Sequence, residues 1–189
     1  MRVIAGKYRR RQLRSLPGAE IRPTADRLRE TLFNVLGAGN PEALTGSTWI
    51  DLYAGTGAVG IEALSRGAAM VYFAESSRAA ADMIAENLKS LGIASGAQIV
   101  RANTARTVRQ LESAGVIADF VFLDPPYRMK EEYSLTLETL ASSPLVQDLT
   151  TVIAEHEKRF DPGESFGQLQ RYRKLEQGDA GLSFYRKRR

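Results

Sequence analysis

The chain has 189 residues, 43% hydrophobic and 25% charged, with a formal net charge of +4 and a pI near 9.5, so one globular domain with an anionic partner is expected. The absence of cysteine excludes disulfides, thiolate nucleophiles and sulfur-ligated metals, and a single histidine, His156, excludes a multi-histidine zinc site. No apolar run reaches the roughly 18 residues of a membrane span, and the N-terminal Met1-Arg2-Val3-Ile4-Ala5-Gly6 runs too soon into charge for a signal peptide, so a cytoplasmic protein with no membrane partner is expected.

Residues 1–20 form a basic extension in which Lys7, Arg9, Arg10, Arg11 and Arg14 alternate with Val3, Ile4, Tyr8 and Leu13. That interleaving predicts a short hairpin around Gly6-Lys7 with its arginines in solvent, the alternative being a solvated tail. Residues 21–189 then form the main domain. Thr24 is placed to cap a helix over 24–36 whose apolar face is Leu28, Leu32, Phe33, Val35 and Leu36. Beyond it, apolar runs near 48–53, 70–75, 97–100, 118–123 and 150–154 alternate with helical patterns near 58–66, 77–91, 104–114 and 131–141. This order predicts an α/β fold around a mostly parallel sheet covered on both faces. Two further strands, 168–176 and 182–187, flank the turn signal Gln177-Gly178-Asp179-Ala180-Gly181 and predict an antiparallel C-terminal closure, seven strands in all.

The first strand breaks into Asp51-Leu52-Tyr53-Ala54-Gly55-Thr56-Gly57-Ala58-Val59-Gly60 and opens a helix. Gly55, Gly57 and Gly60 match a dinucleotide fingerprint, which alone would suggest a nucleotide-dependent oxidoreductase. Asp51 argues otherwise: an acid before the loop repels a pyrophosphate and suits a cation such as S-adenosylmethionine, with its ammonium and sulfonium, although it could also cap the loop. Glu75, ending the second strand, is spaced to bind ribose hydroxyls. Asn103, after the third strand, reads equally as an adenine-edge contact or as a turn residue.

The fourth strand ends in Asp124-Pro125-Pro126-Tyr127. Consecutive prolines end the ladder and fix an extended turn, so a carboxylate and nearby carbonyls converge on one point. Such acceptors can orient the delocalised lone pair of an exocyclic base amine, with Tyr127 stacking on the base. Without cysteine, methylation at pyrimidine C5 through a thiolate is excluded. His156, between Glu155 and Glu157, reads as a rim residue because this transfer needs no strong general base, and Arg22, Arg27 and Arg29 read as solvated or salt-bridged.

Together the run from Asp51 to Ala68, Asp124-Pro125-Pro126-Tyr127, and the block from Arg22 to Asn34 behind a basic N-terminus resemble the RsmD family of bacterial 16S rRNA guanine-N2 methyltransferases. The resemblance implies a class I, Rossmann-like methyltransferase fold and use of S-adenosylmethionine, released as S-adenosylhomocysteine, without a metal. It implies a cofactor pocket of Asp51, Tyr53, Gly55, Thr56, Gly57, Glu75, Ser76 and Asn103, with Thr24, Phe33 and Asn34 over its entrance. Asp124 to Tyr127 would be catalytic, and Lys7, Arg9, Arg10, Arg11 and Arg14 would bind 16S rRNA within a small subunit or assembly intermediate; the sequence leaves the oligomeric state open, a monomer being favoured. Asn103 stands where many relatives carry an acid and Tyr127 where phenylalanine is common. An adenine-N6 methyltransferase and a noncatalytic RNA-binding module are the competing readings.

Overall fold

The structure is a computed structural model that describes residues 1–15 and 23–188, with the side chains of 23–25 outside the description. A central eight-stranded sheet runs in the order β3-β2-β1-β4-β5-β8-β7-β6. Its parallel half consists of β1 (Thr48–Leu52), β2 (Met70–Ala74), β3 (Ala97–Val100), β4 (Ala118–Leu123) and β5 (Val146–Glu157). Crossovers between them carry α2 (Ala58–Ser65), α3 (Arg78–Ser90), α4 (Thr104–Ser113) and α5 (Glu131–Ser142). The remaining strands are β6 (Ser165–Phe166), β7 (Leu169–Gln177) and β8 (Ala180–Lys187); β8 inserts between β5 and β7, antiparallel to both. The sheet therefore has eight strands where the pattern predicts seven, because the two-residue β6 is too short to leave a periodic signal.

Alternation along β1 divides the core. Trp49 faces one layer, stacked between Phe33 and Phe120 at ring-centroid distances of 5.3 and 5.1 Å. Ile50 and Leu52 face the other, against Val108 and Leu111 of α4 and Tyr133, Leu137 and Leu140 of α5. The first layer is closed by α2, α3 and α1 (Pro23–Leu36). Because α1 begins at Pro23, Thr24 lies inside the first turn and is not its cap; proline suits an opening position, where its missing N–H would be unpaired anyway.

Gly60 lets α2 lie close on β2, since a Cβ there would come within 2.4 Å of Phe73. The N-terminal segment is attached to the outer side of the same helix. Met1 to Leu13 doubles back through Val3 N–H to the Arg11 carbonyl (3.0 Å) and Arg10 N–H to the Val3 carbonyl (2.9 Å), with a bridge between Arg2 and Gln12. Gly6, at φ 78°, touches the Ser65 carbonyl so closely that no side chain fits there.

Two buried polar residues hold this segment. Glu62 of α2, fully buried, accepts from the Ile4 and Ala5 amides (2.8 and 3.0 Å) and from Arg66 Nε (2.7 Å). Asn87 of α3, also fully buried, accepts from Arg14 N–H (2.8 Å) and donates to the carbonyls of Arg14 (3.1 Å) and Thr56 (3.0 Å). The end of the basic segment and the glycine loop thus share one amide.

Candidate active site

The parallel strands end on one edge, where a cleft of about 520 Å³ opens over Tyr53, Gly55, Glu75, Asn103 and Asp124 to Tyr127. That volume falls within the range of small-molecule sites, and the position is the usual one for open α/β sheets. Glu75 is fixed from both sides: Oε2 accepts from Gly55 N–H (2.9 Å) and Oε1 from Ser77 N–H (2.7 Å). Each oxygen keeps a lone pair for a ligand hydroxyl. Asn103 caps α4, its Oδ1 accepting from Arg106 N–H at 2.9 Å, and it also lines the cleft; the turn role and a place at the rim coexist.

Tyr53 carries a second signature. Its φ of 62° is left-handed, which costs a non-glycine residue about 1–2 kcal/mol. The side chain is held there by α5, with its hydroxyl donating to Glu132 Oε2 at 2.7 Å and lying 3.0 Å from Thr136 Oγ1. Glu132 and Met129 complete this wall, and the sequence reading assigns neither. Met129 lies just before α5 and Glu132 in its first turn, and in the sequence neither differs from solvent-facing surface.

At the floor of the cleft Asp124 and, below it, the carboxyls of Asp51 and Glu155 act on one another through the ends of β1, β4 and β5. Burial pushes Asp51 up to about 7, against the opposing bond from Gly60 N–H (2.9 Å), and Asp124 and Glu75 push it further. Burial also raises Asp124 to about 7 and lifts Glu155 well above the carboxylate range, with Asp124 adding to the latter shift. Glu155 belongs to this group although the sequence reading treats it only as a neighbour of His156. An acid ending an apolar strand, as in Ile153-Ala154-Glu155, is the signal that would have found it.

An array of desolvated carboxyls favours a cationic ligand, since a positive charge nearby stabilises their ionised forms. The sign for pH follows. A cation held above Asp51 is favoured once the proton has left, so the affinity of a cationic ligand, with S-adenosylmethionine as the probe, is expected to rise up to about tenfold per pH unit between pH 6 and 7 and then level off. Calorimetric titration across that range checks this, with Asp51→Asn expected to flatten the curve. In the absence of a ligand, folded carboxyls with raised pKa hold more protons than unfolded ones. Stability should therefore fall as pH rises from the ordinary carboxylate range toward 7.

The chain matches the family model described as conserved hypothetical protein 95 over residues 1–186. It is 32% identical over 188 residues to YlbH of Bacillus subtilis, a candidate rRNA methyltransferase by name, with both chains covered in full. It is 38% identical over 128 residues to ribosomal RNA small subunit methyltransferase D of Escherichia coli K12, covering 68% of this chain and 61% of that relative. The solved structure of yhhF, a candidate methyltransferase of Escherichia coli, is 32% identical and superposes with a TM-score of 0.81 over 99% of this chain and 97% of that one. The chain belongs to this family. It is the RsmD family that the sequence motifs resemble, and the fold is the α/β methyltransferase fold, with a parallel core and antiparallel C-terminal strands.

Within this family fold the predicted site residues divide. Tyr53, Gly55, Glu75, Ser76, Asn103, Asp124, Pro125, Pro126 and Tyr127 line one cleft. Asp51 does not line it: at 2% exposure it lies below the floor and caps α2, so its influence on a ligand is through its field. Thr56 and Gly57 shape the loop without lining the cavity; the Thr56 carbonyl is turned to Asn87. Phe33 corrects the expectation of a cofactor-entrance residue, because it is buried against Trp49 at the start of β1, the end of the strand away from the cleft. Asn34 is exposed on α1 and is not part of the lining, and the side chain of Thr24 lies outside the described residues.

His156 is likewise not a rim residue. It is fully buried, with Nδ1 2.8 Å from the Glu157 carbonyl and Nε2 3.0 Å from Ser183 Oγ, and burial lowers its pKa. Both nitrogens are engaged, Nδ1 within β5 and Nε2 across to β8, where Gly181 leaves room for the ring. Arg29 is also core: it donates to the Arg2 carbonyl (2.7 Å) and to Asp26 (2.9 Å). Lys7, Arg9, Arg10, Arg11 and Arg14 are exposed; Arg11 reaches the Ser90 carbonyl (2.8 Å) and Arg14 pairs with Glu86 (3.0 Å). No helix among the described residues is long and apolar enough to cross a membrane.

Proposed function

We propose that this chain transfers a methyl group to the exocyclic N2 amine of a guanine in 16S rRNA, in a cytoplasmic small subunit or assembly intermediate. Asp124 to Tyr127 and the pinned Glu75 sharing one cleft is the observation that carries this reading. When bound, S-adenosylmethionine supplies an electrophilic methyl and leaves as S-adenosylhomocysteine. The residues present fit it: Glu75 can accept from the ribose hydroxyls, Ser76 and Asn103 bound the adenine side, and the carboxyls under the floor favour the positive charge.

The chain's own residues supply alignment. Asp124 and the Pro125 carbonyl accept from the two N–H groups of the amine and turn its lone pair toward the methyl. Tyr133 holds that turn from behind, its hydroxyl donating to the Glu155 carbonyl at 2.9 Å and lying 3.4 Å from the Pro125 carbonyl. After transfer the nitrogen carries a surplus proton, and Asp124, raised to about 7, can take it near neutrality. Tyr127 stacks on the base.

The exposed arginines grip RNA phosphates without reading sequence. Replacing Arg9, Arg10 and Arg11 together by Gln is expected to weaken rRNA binding by one to two orders of magnitude at moderate salt and to leave S-adenosylmethionine affinity unchanged; equal RNA affinity by fluorescence anisotropy would remove this role. The function is tested by offering labelled S-adenosylmethionine with small subunits, deproteinised rRNA and DNA, followed by nucleoside analysis. Label in N2-methylguanine supports the reading, N6-methyladenine moves the enzyme to the other amino-methyltransferase class, and no label despite cofactor binding makes it a noncatalytic module.

A further inference from the structure

A second cavity, of about 530 Å³, lies between the N-terminal segment and α1. One wall carries Arg2, Arg9 and Arg10 and the other Arg27, with Asp26 and Glu30 beside it. Arg29 ties the walls together from behind, reaching the Arg2 carbonyl on one side and Asp26 on the other at 2.7 and 2.9 Å. That pairing engages one of the two carboxylates and leaves the four lining guanidiniums in excess.

Backbone geometry singles out the same place. Among the described residues only Tyr53 and Arg10 are non-glycine residues with left-handed φ, at 62° and 69°. Tyr53 lines the cleft of the active site, and Arg10 lines this pocket. An arginine in a conformation that glycine adopts without strain sets a guanidinium on this wall at a cost of about 1–2 kcal/mol. The segment bearing it is also fastened to the glycine loop, since Asn87 donates to the carbonyls of both Arg14 and Thr56.

We propose that this pocket is a phosphate subsite that clamps the rRNA strand, with Arg27 of α1 closing on a backbone phosphate opposite Arg2, Arg9 and Arg10. The inference rests on the rRNA reading above and adds to the N-terminal segment Arg27 of α1, which the sequence reads as solvated or salt-bridged. Guanidinium forks suit phosphate oxygens, and a preformed two-walled pocket fixes where the strand lies as well as attracting it.

The test is Arg27→Gln in the full chain, an exposed helix position outside the cofactor cleft. Binding of deproteinised small-subunit rRNA is measured against salt concentration, with S-adenosylmethionine affinity and methyl transfer to small subunits in parallel. Loss of one phosphate contact should reduce the slope of log K against log salt by roughly 0.7–0.9. KM for subunits should rise several-fold, cofactor affinity should hold, and Arg27→Lys should restore the slope. An unchanged slope and KM would overturn the subsite, even if the Arg9, Arg10 and Arg11 variant still loses RNA affinity and the wild type still methylates rRNA. Weakened binding to subunits with unchanged binding to free rRNA would also overturn it, by assigning the pocket to an acidic protein surface. Failure of the rRNA reading itself is seen separately, as absence of methyl transfer by the wild-type chain.

Discussion

Asp124→Ala is expected to lower kcat for methyl transfer by about 10²–10³-fold, the scale on which removing one preorganised polar partner of a reacting group acts. Affinity for S-adenosylmethionine should change only a few-fold, because Glu75, Gly55 and Asn103 form the side of the cleft assigned to the cofactor. KM for the RNA should also move little, since affinity comes from phosphates and not from the target amine. Asp124→Asn separates orientation from proton acceptance: the amide oxygen still accepts one N–H but cannot take the released proton. Its rate should lie between wild type and alanine and lose the rise with pH that a carboxyl near 7 gives below neutrality. Single-turnover transfer with cofactor affinity measured beside it decides the matter, and near-wild-type turnover of the alanine variant would remove Asp124 from the chemistry.

Legibility in the sequence followed the range of the interaction. Strands β1 to β4 and helices α2 to α5 are visible because their apolar periodicity is local, and Asp124-Pro125-Pro126-Tyr127 because it is contiguous. β5 runs from Val146 to Glu157, well before the expected start at 150, since Gln147-Asp148 breaks the apolar run while Val146 still pairs with Ala118. Phe33 reads equally as an entrance aromatic or a core aromatic until Trp49 is placed beside it. His156 reads as a rim residue because its partner Ser183 is 27 positions away on an antiparallel strand. Glu75 is legible by its spacing from the glycine loop, whereas Glu132, Glu155 and Asn87 act through partners that only the folded chain supplies.

Glu62 shows how much a hidden partner can matter. In the sequence it is one acid in the apolar helix Ala58–Ser65, but in the structure it is the fully buried anchor of the N-terminal segment. Its oxygens serve the Ile4 and Ala5 amides and Arg66, with Arg29 Nε 4.0 Å away. Glu62→Ala would strand a largely buried Arg66 and two amides and remove the nearby charge from Arg29, which keeps Asp26 and the Arg2 carbonyl, so a loss of roughly 3–5 kcal/mol, or about 10–15 °C in Tm, is expected. Glu62→Gln can still accept from one amide and should lose less. The consequence for activity should be uneven: detaching residues 4 and 5 releases the wall that carries Arg9 and Arg10 but leaves the cleft residues in place. At a temperature where the glutamine variant remains folded, its KM for small subunits should therefore rise more than its affinity for S-adenosylmethionine falls. Differential scanning calorimetry and the two affinities test this, and an equal loss of both would mean that the anchor supports the glycine loop as much as the RNA-facing segment.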